Sequence, residues 1–166
     1  MRARLRPGCW PFLHAQAGYD GPAVETIRVQ LLRPGARLPV RATEGSSGFD
    51  LFACTGGAEI EISQEPVLVP TGIAIEAPPG FDVQVRPRSG LARQGVIAAF
   101  GTIDADYRGE VLVTLYTTSP DVRYTVRDGD RVAQLVVARL ADVRFEVAEA
   151  LAATDRGSGG HGSTGR

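Results

Sequence analysis

Lysine and asparagine are both absent from these 166 residues, and all 18 positive charges are arginine. The first absence excludes a lysine Schiff base and a lysine-bearing phosphate loop. On surfaces the two cations mostly exchange, so codon bias in a GC-rich genome accounts for the preference. Cysteine and histidine are scarce: Cys9, Cys54, His14 and His161 have none of the close pair spacings of a zinc site. Two thiols so far apart read as a reduced, cytoplasmic protein rather than a disulfide scaffold. No apolar run approaches the ~18 residues of a membrane span. The formal charge of -1 comes without a basic stripe or an acidic tail, which argues against a stable nucleic-acid partner or a membrane surface.

What is present suits one domain: 43% apolar residues in a chain of 166 can build one core. Residues 1–26 have a basic start and an Ala15-Gln16-Ala17 that faintly resembles a secretory cleavage site. Their apolar part, broken by Pro11, is shorter than a signal-peptide core. They read as a disordered extension or a misplaced start. From Ile27 the pattern becomes short alternating runs split by turns, the signature of half-buried strands. IRVQLL (27–32), AEIEI (58–62), GIAIEA (72–77), FDVQV (81–85), VLVTLY (111–116), VRYTV (122–126), RVAQLVVARL (131–140) and VRFEV (143–147) are predicted strands. Only SGLARQG (89–95) predicts a helical turn. Many short strands with hardly any helix predict an antiparallel sandwich, barrel or jelly roll over 27–151, with a glycine-rich arm from 152 to 166.

Four internal segments break the alternation with polar and glycine residues: GFDLFA (48–53), RPRSGLA (86–92), GTIDADYRGE (101–110) and GDRVAQLV (129–136). In the second, Arg88 and Ser89 beside a helix start make an anion site, or simply a strand-to-helix turn with a serine cap. In the third, Asp104 is a candidate general base near Ile103, or else the partner of Arg108 in a structural ion pair. Asp50 suits a hydrated magnesium ion, or a turn. Gln134 is the polar residue of the fourth segment that faces a ligand.

Taken in order with RGSGGHGSTGR (156–166), these segments resemble the five motifs of the trimeric dUTPases, the deoxyuridine triphosphate nucleotidohydrolases. The resemblance runs from about Ile27 to Gly165, and implies an all-β antiparallel jelly roll forming a homotrimer with an exchanged C-terminal arm. It further implies hydrolysis of dUTP to dUMP and pyrophosphate, which keeps uracil out of DNA and supplies dUMP for dTMP synthesis. Carried over, Asp104 orients and deprotonates the water that attacks the α-phosphorus. Tyr107 packs under the sugar, where it leaves no room for a 2'-hydroxyl. Asp50 holds Mg2+ through water, and Arg88, Ser89 and Gln134 bind the phosphates. Arg156, Ser163 and Thr164 close on the γ-phosphate. Gly90, Ala98, Gly101, Ile103 and Gly162 complete the substrate-binding set.

Two positions depart from the family pattern. Ala98 stands where many bacterial relatives have an asparagine that helps read the uracil edge, leaving that task to backbone groups of the hairpin from Ala98 to Gly101. His161 stands where the arm usually has a phenylalanine stacked on the base, and its flat imidazole is expected to stack in its place. Two other readings compete. One is a dCTP deaminase-like or bifunctional relative, against which Thr114 occupies the position of an essential glutamate. The other is a catalytically silent nucleotide-binding jelly roll.

Overall fold

A computed structural model of the chain describes residues 24–159. In chain order its elements are β1 (Arg28–Leu31), β2 (Gly48–Phe52), β3 (Ile60–Ile62), β4 (Val67–Glu76), β5 (Phe81–Arg86), α1 (Ser89–Ala92), β6 (Val96–Ala98), β7 (Gly101–Ile103), β8 (Glu110–Thr117), β9 (Tyr124–Val126) and β10 (Arg131–Arg139). Two four-stranded sheets, β1-β4-β8-β6 and β2-β10-β5-β7, and the small sheet β3-β9 make an antiparallel jelly roll. Alternation along β8 sends Val111, Val113 and Leu115 inward, where they meet Val83, Val85 and Leu135 of the second sheet in one core. The β6–β7 hairpin crosses between the sheets, because β6 pairs with β8 and β7 with β5.

Two expectations change. GFDLFA is strand β2, at the edge of the second sheet: its glycine and aspartate disguise a strand whose Leu51 is buried in the core. Conversely, VRFEV (143–147) pairs with nothing among the described residues. Phe145 and Val147 are 97% and 99% exposed, since alternation makes a strand only where a sheet edge receives it.

A bulge in β4 between Pro70 and Ala74 brings the chain close to its neighbours. Gly72 has φ +69 there, and a Cβ would lie 2.9 Å from both Ala36 Cβ and Cys54 Sγ. Its N–H donates to Glu110 Oε1 at 2.7 Å, and the other oxygen of Glu110 takes Arg33. Glu110 is therefore a tie of the fold.

Asp128 fixes a second turn. Its Oδ1 accepts the N–H groups of Thr55 (2.7 Å) and Gly56 (3.1 Å), and these bonds, the Thr55 N–H foremost, hold its carboxyl below the usual carboxylate value. A lowered folded-state value means the stabilisation is fully present above the ordinary 3.8 and is lost as pH falls through the lowered value. Asp128→Asn is expected to melt a few degrees below the parent at neutral pH. The two melting curves should converge when the scan is repeated in acid, and a gap independent of pH would contradict the assignment.

Candidate active site

The outer face of the second sheet carries the polar residues. In its register Asp50, Gln134 and Arg86 lie side by side across β2, β10 and β5. Gln134 Nε2 donates to Pro87 O at 2.9 Å and so ties β10 to the loop that leaves β5. Gly48 makes room for this, because a Cβ there would stand 2.1 Å from Gln134 Oε1.

Arg88 follows in extended backbone (φ -96, ψ 129) and occupies the N-cap position of α1. Ser89 is thus the first helical residue rather than the cap, and no side chain caps the turn. Arg88 O accepts the N–H groups of Leu91 (3.1 Å) and Ala92 (3.0 Å). Those of Ser89 and Gly90 precede any intrahelical partner and are available to a ligand. Both residues are exposed, and a Cβ on Gly90 would meet nothing within 4 Å.

Asp50 is 9% exposed and sits between two guanidiniums. Its Oδ1 accepts from Arg88 Nε at 3.0 Å and its Oδ2 from Arg131 Nη1 at 3.2 Å. Arg88 Nη1 also donates to Arg131 O at 3.0 Å. A carboxylate has about four lone-pair sites, so two remain for a hydrated cation. Among the described residues no group of three or more His, Cys, Asp or Glu could cage a metal. Asp50 could therefore give a hydrated cation such as magnesium one carboxylate, with water and ligand oxygens as the rest of its shell.

The acidic segment lies elsewhere. Asp104 follows β7 at an exposed turn, which the Tyr107 N–H closes by donating to Asp104 O at 3.0 Å. The ion pair Asp104–Arg108 does not form. Arg108 donates to Ala105 O and Tyr107 O, both at 2.7 Å, and reaches Glu76 at 3.6 Å. Tyr107 is 45% exposed, its hydroxyl donates to Glu110 O at 3.0 Å, and its ring folds over Gly109, where a Cβ would be 2.3 Å from the hydroxyl oxygen.

Register fixes how far apart the two groups are. Ile103 faces Val83 across β7 and β5, and Asp104 lies one residue further from Arg88. At ~3.4 Å per residue of extended chain, the six steps from the position opposite Asp104 to Arg88 span up to about 20 Å. Within one chain they do not share a site.

Ala98 is 1% exposed and its side chain is part of the core, so its backbone is what the hairpin offers; a Cβ on Gly101 would lie 3.5 Å from Val85 Cβ, and Ile103 is 9% exposed. Arg156 Nε donates to Gly159 O at 2.9 Å. His161, Gly162, Ser163 and Thr164 lie outside the described residues. Sequence reasoning missed Arg131 and Gly48. A cavity of about 590 Å³, lined by Ile27, Phe49, Phe81 and Val137 with Glu25 and Arg41 at its wall, contains none of the polar residues above.

The dUTPase family model matches residues 35–165. The chain is 48% identical over 134 residues to the deoxyuridine 5'-triphosphate nucleotidohydrolase of Desulfotalea psychrophila (strain LSv54 / DSM 12343), covering 77% of this chain and 87% of that protein. Among solved structures it resembles the dUTPase of Staphylococcus bacteriophage 80alpha with dUPNHPP, with TM-score 0.75 and 24% identity over 86% of this chain and 100% of that one. It also resembles a point mutant of the dUTPase from phage phi11 of S. aureus, a structure that reveals coordination of a structural Mg(II) ion. There the TM-score is 0.67 and the identity 22%, over 75% of this chain and 97% of that one.

Proposed function

The chain belongs to the dUTPase family, and from that premise we propose that it hydrolyses dUTP to dUMP and pyrophosphate at sites assembled between the subunits of a homotrimer. One observation carries the reading. Arg88, Ser89, Gln134 and Asp50 cluster at one end of β5, where they can act as a phosphate cradle, whereas Asp104 and Tyr107 stand at the other, up to about 20 Å away by strand rise. Groups that act on one phosphorus must sit within ~3 Å of adjacent atoms. The cradle of one copy therefore works with the acidic turn of another. Exposed Leu68, Leu112 and Phe100, on the β4, β8 and hairpin surface of the first sheet, supply apolar area for such an assembly.

In this arrangement Arg88 and the N–H groups of Ser89 and Gly90 receive the phosphate oxygens, with the Ser89 hydroxyl near the bridging oxygen where charge develops. Gln134 holds the cradle loop through Pro87 O. Asp104 accepts the proton of the attacking water and orients it in line. Tyr107, fixed over Gly109, bears on the deoxyribose and excludes a 2'-hydroxyl. Backbone groups of the 98–101 hairpin read the uracil edge. Arg156, Ser163 and Thr164 are assigned to the γ-phosphate, and His161 with Gly162 to the base. Mg2+, when bound through water to Asp50 and to the phosphates, supplies neutralisation of a chain that carries about four negative charges.

A pyrophosphate-release assay with dUTP, dCTP, dTTP and UTP, each with and without magnesium, tests the reading. Turnover of dUTP alone, dependent on magnesium, is expected. Release from UTP at a comparable rate would refute the role of Tyr107, and formation of dUMP or dUTP from dCTP would replace the hydrolase by a deaminase. Silence towards all four would leave a binding protein.

A further inference from the structure

Arg131 has no part in the assignments above, yet the fold departs from regular pairing to bring it to the cradle. In a regular strand Arg131 and Gln134, three residues apart, point to opposite faces. Here β10 pairs Gln134 with Asp50, Ala133 with Leu51, and then Arg131 with Phe52, so that Val132 is an extra residue in a bulge. Val132 and Ala133 both turn into the core, each 0% exposed, and Arg131 emerges on the face of Asp50 and Gln134. A bulge that re-aims a side chain in this way is a common device beside active sites.

Charge gives the re-aimed residue its use. Arg88 and Asp50 alone form a neutral pair, whose guanidinium has its charge already answered. Arg131 takes the second oxygen of the same carboxylate, leaving one net positive charge on the three side chains, and its carbonyl accepts Arg88 Nη1. We propose that Arg131 is a positioning residue of the phosphate cradle: by sharing Asp50 it holds the Arg88 guanidinium and keeps the cluster cationic enough to receive a polyphosphate. Its own side chain is 51% exposed, so it also has N–H groups free to turn toward the outermost phosphates. The inference rests on the cradle reading of Arg88 given above.

The test is calorimetric titration of the full chain with inorganic tripolyphosphate, alongside dUTP kinetics. Arg131→Gln is expected to weaken tripolyphosphate binding and raise KM by about tenfold, the loss of one charge-assisted contact, with kcat little changed. Arg131→Lys, which keeps the charge, should recover most of the affinity and make it more sensitive to salt. Unchanged binding in Arg131→Gln, or a lysine variant no better than the glutamine one, overturns the proposal. Arg88→Gln separates this failure from that of the cradle itself. If Arg88→Gln also binds like the parent, the cradle reading falls; if it alone loses affinity, only the role of Arg131 falls. Should Arg131→Gln not fold, Arg131→Lys decides: near-parental binding at low salt is expected, and its loss there refutes the charge argument.

Discussion

Asp104→Asn should lose about three orders of magnitude in kcat while binding dUTP within a few-fold of the parent, the loss expected when a general base is removed. Asparagine keeps the shape of aspartate and most of its hydrogen-bonding capacity, but it has no basic oxygen to take a proton from water. The substitution is also cheap for the fold. Asp104 is exposed, and the bond that closes its turn comes from Tyr107 N–H to the Asp104 main-chain oxygen, which the change leaves alone. Loss of turnover with an unchanged melting temperature would thus report on chemistry rather than on stability. Single-turnover release of pyrophosphate, paired with equilibrium binding of dUTP, makes the measurement. A variant that turns over like the parent would remove Asp104 from the mechanism, and one that neither binds nor melts normally would reassign it to the fold.

The strands that alternate most cleanly were legible because each has a buried face inside its own chain: FDVQV became β5 and VLVTLY lies within β8. The same rule misled at VRFEV, whose apolar side chains Val143, Phe145 and Val147 have no face to cover among the described residues. A periodic pattern reports what a segment can bury, not which chain will bury it. GFDLFA failed in the other direction. Gly48 looks like a turn residue, but its missing side chain is the space occupied by the Gln134 amide, a contact between residues far apart in sequence.

Residue type singled out members of the candidate site, but not the geometry in which they meet. Arg88, Gln134 and Asp50 do meet, but the residue that completes their cluster is displaced by a bulge that no periodicity at 129–136 announces. Its one trace in the sequence is the adjacent pair Val132-Ala133, two apolar residues where a strict alternation allows one. The serine cap was a fair inference from residue type, and the chain instead uses the extended Arg88 one position earlier. Spacing along the chain likewise conceals that Asp104 lies at the far end of β5 from Arg88, since only the pairing of Ile103 with Val83 reveals it.

That separation leads to the second large effect, a gain of activity from two inactive chains. Arg88→Gln removes the central cation of the cradle, and Asp104→Asn removes the base; each variant alone is expected to be nearly silent. If sites form between the subunits of a trimer as proposed, then in a mixed assembly the intact cradle of the Asp104→Asn chain meets the intact acidic turn of the Arg88→Gln chain. Around a cyclic trimer with two chains of one kind and one of the other, that meeting occurs at a single boundary, so about a third of the sites are whole. Co-expression of the two chains under different affinity tags, purification through both, and a pyrophosphate assay would measure it. Recovery near that fraction of parental activity is expected, against a background set by either variant alone. If each chain held a complete site, no mixture of the two would contain one, and activity would stay at the background however thoroughly the subunits had exchanged. The result therefore turns on the placement of Asp104 and Arg88 at opposite ends of β5, a span of up to ~20 Å by strand rise, too long for the two side chains to close together on one phosphate chain.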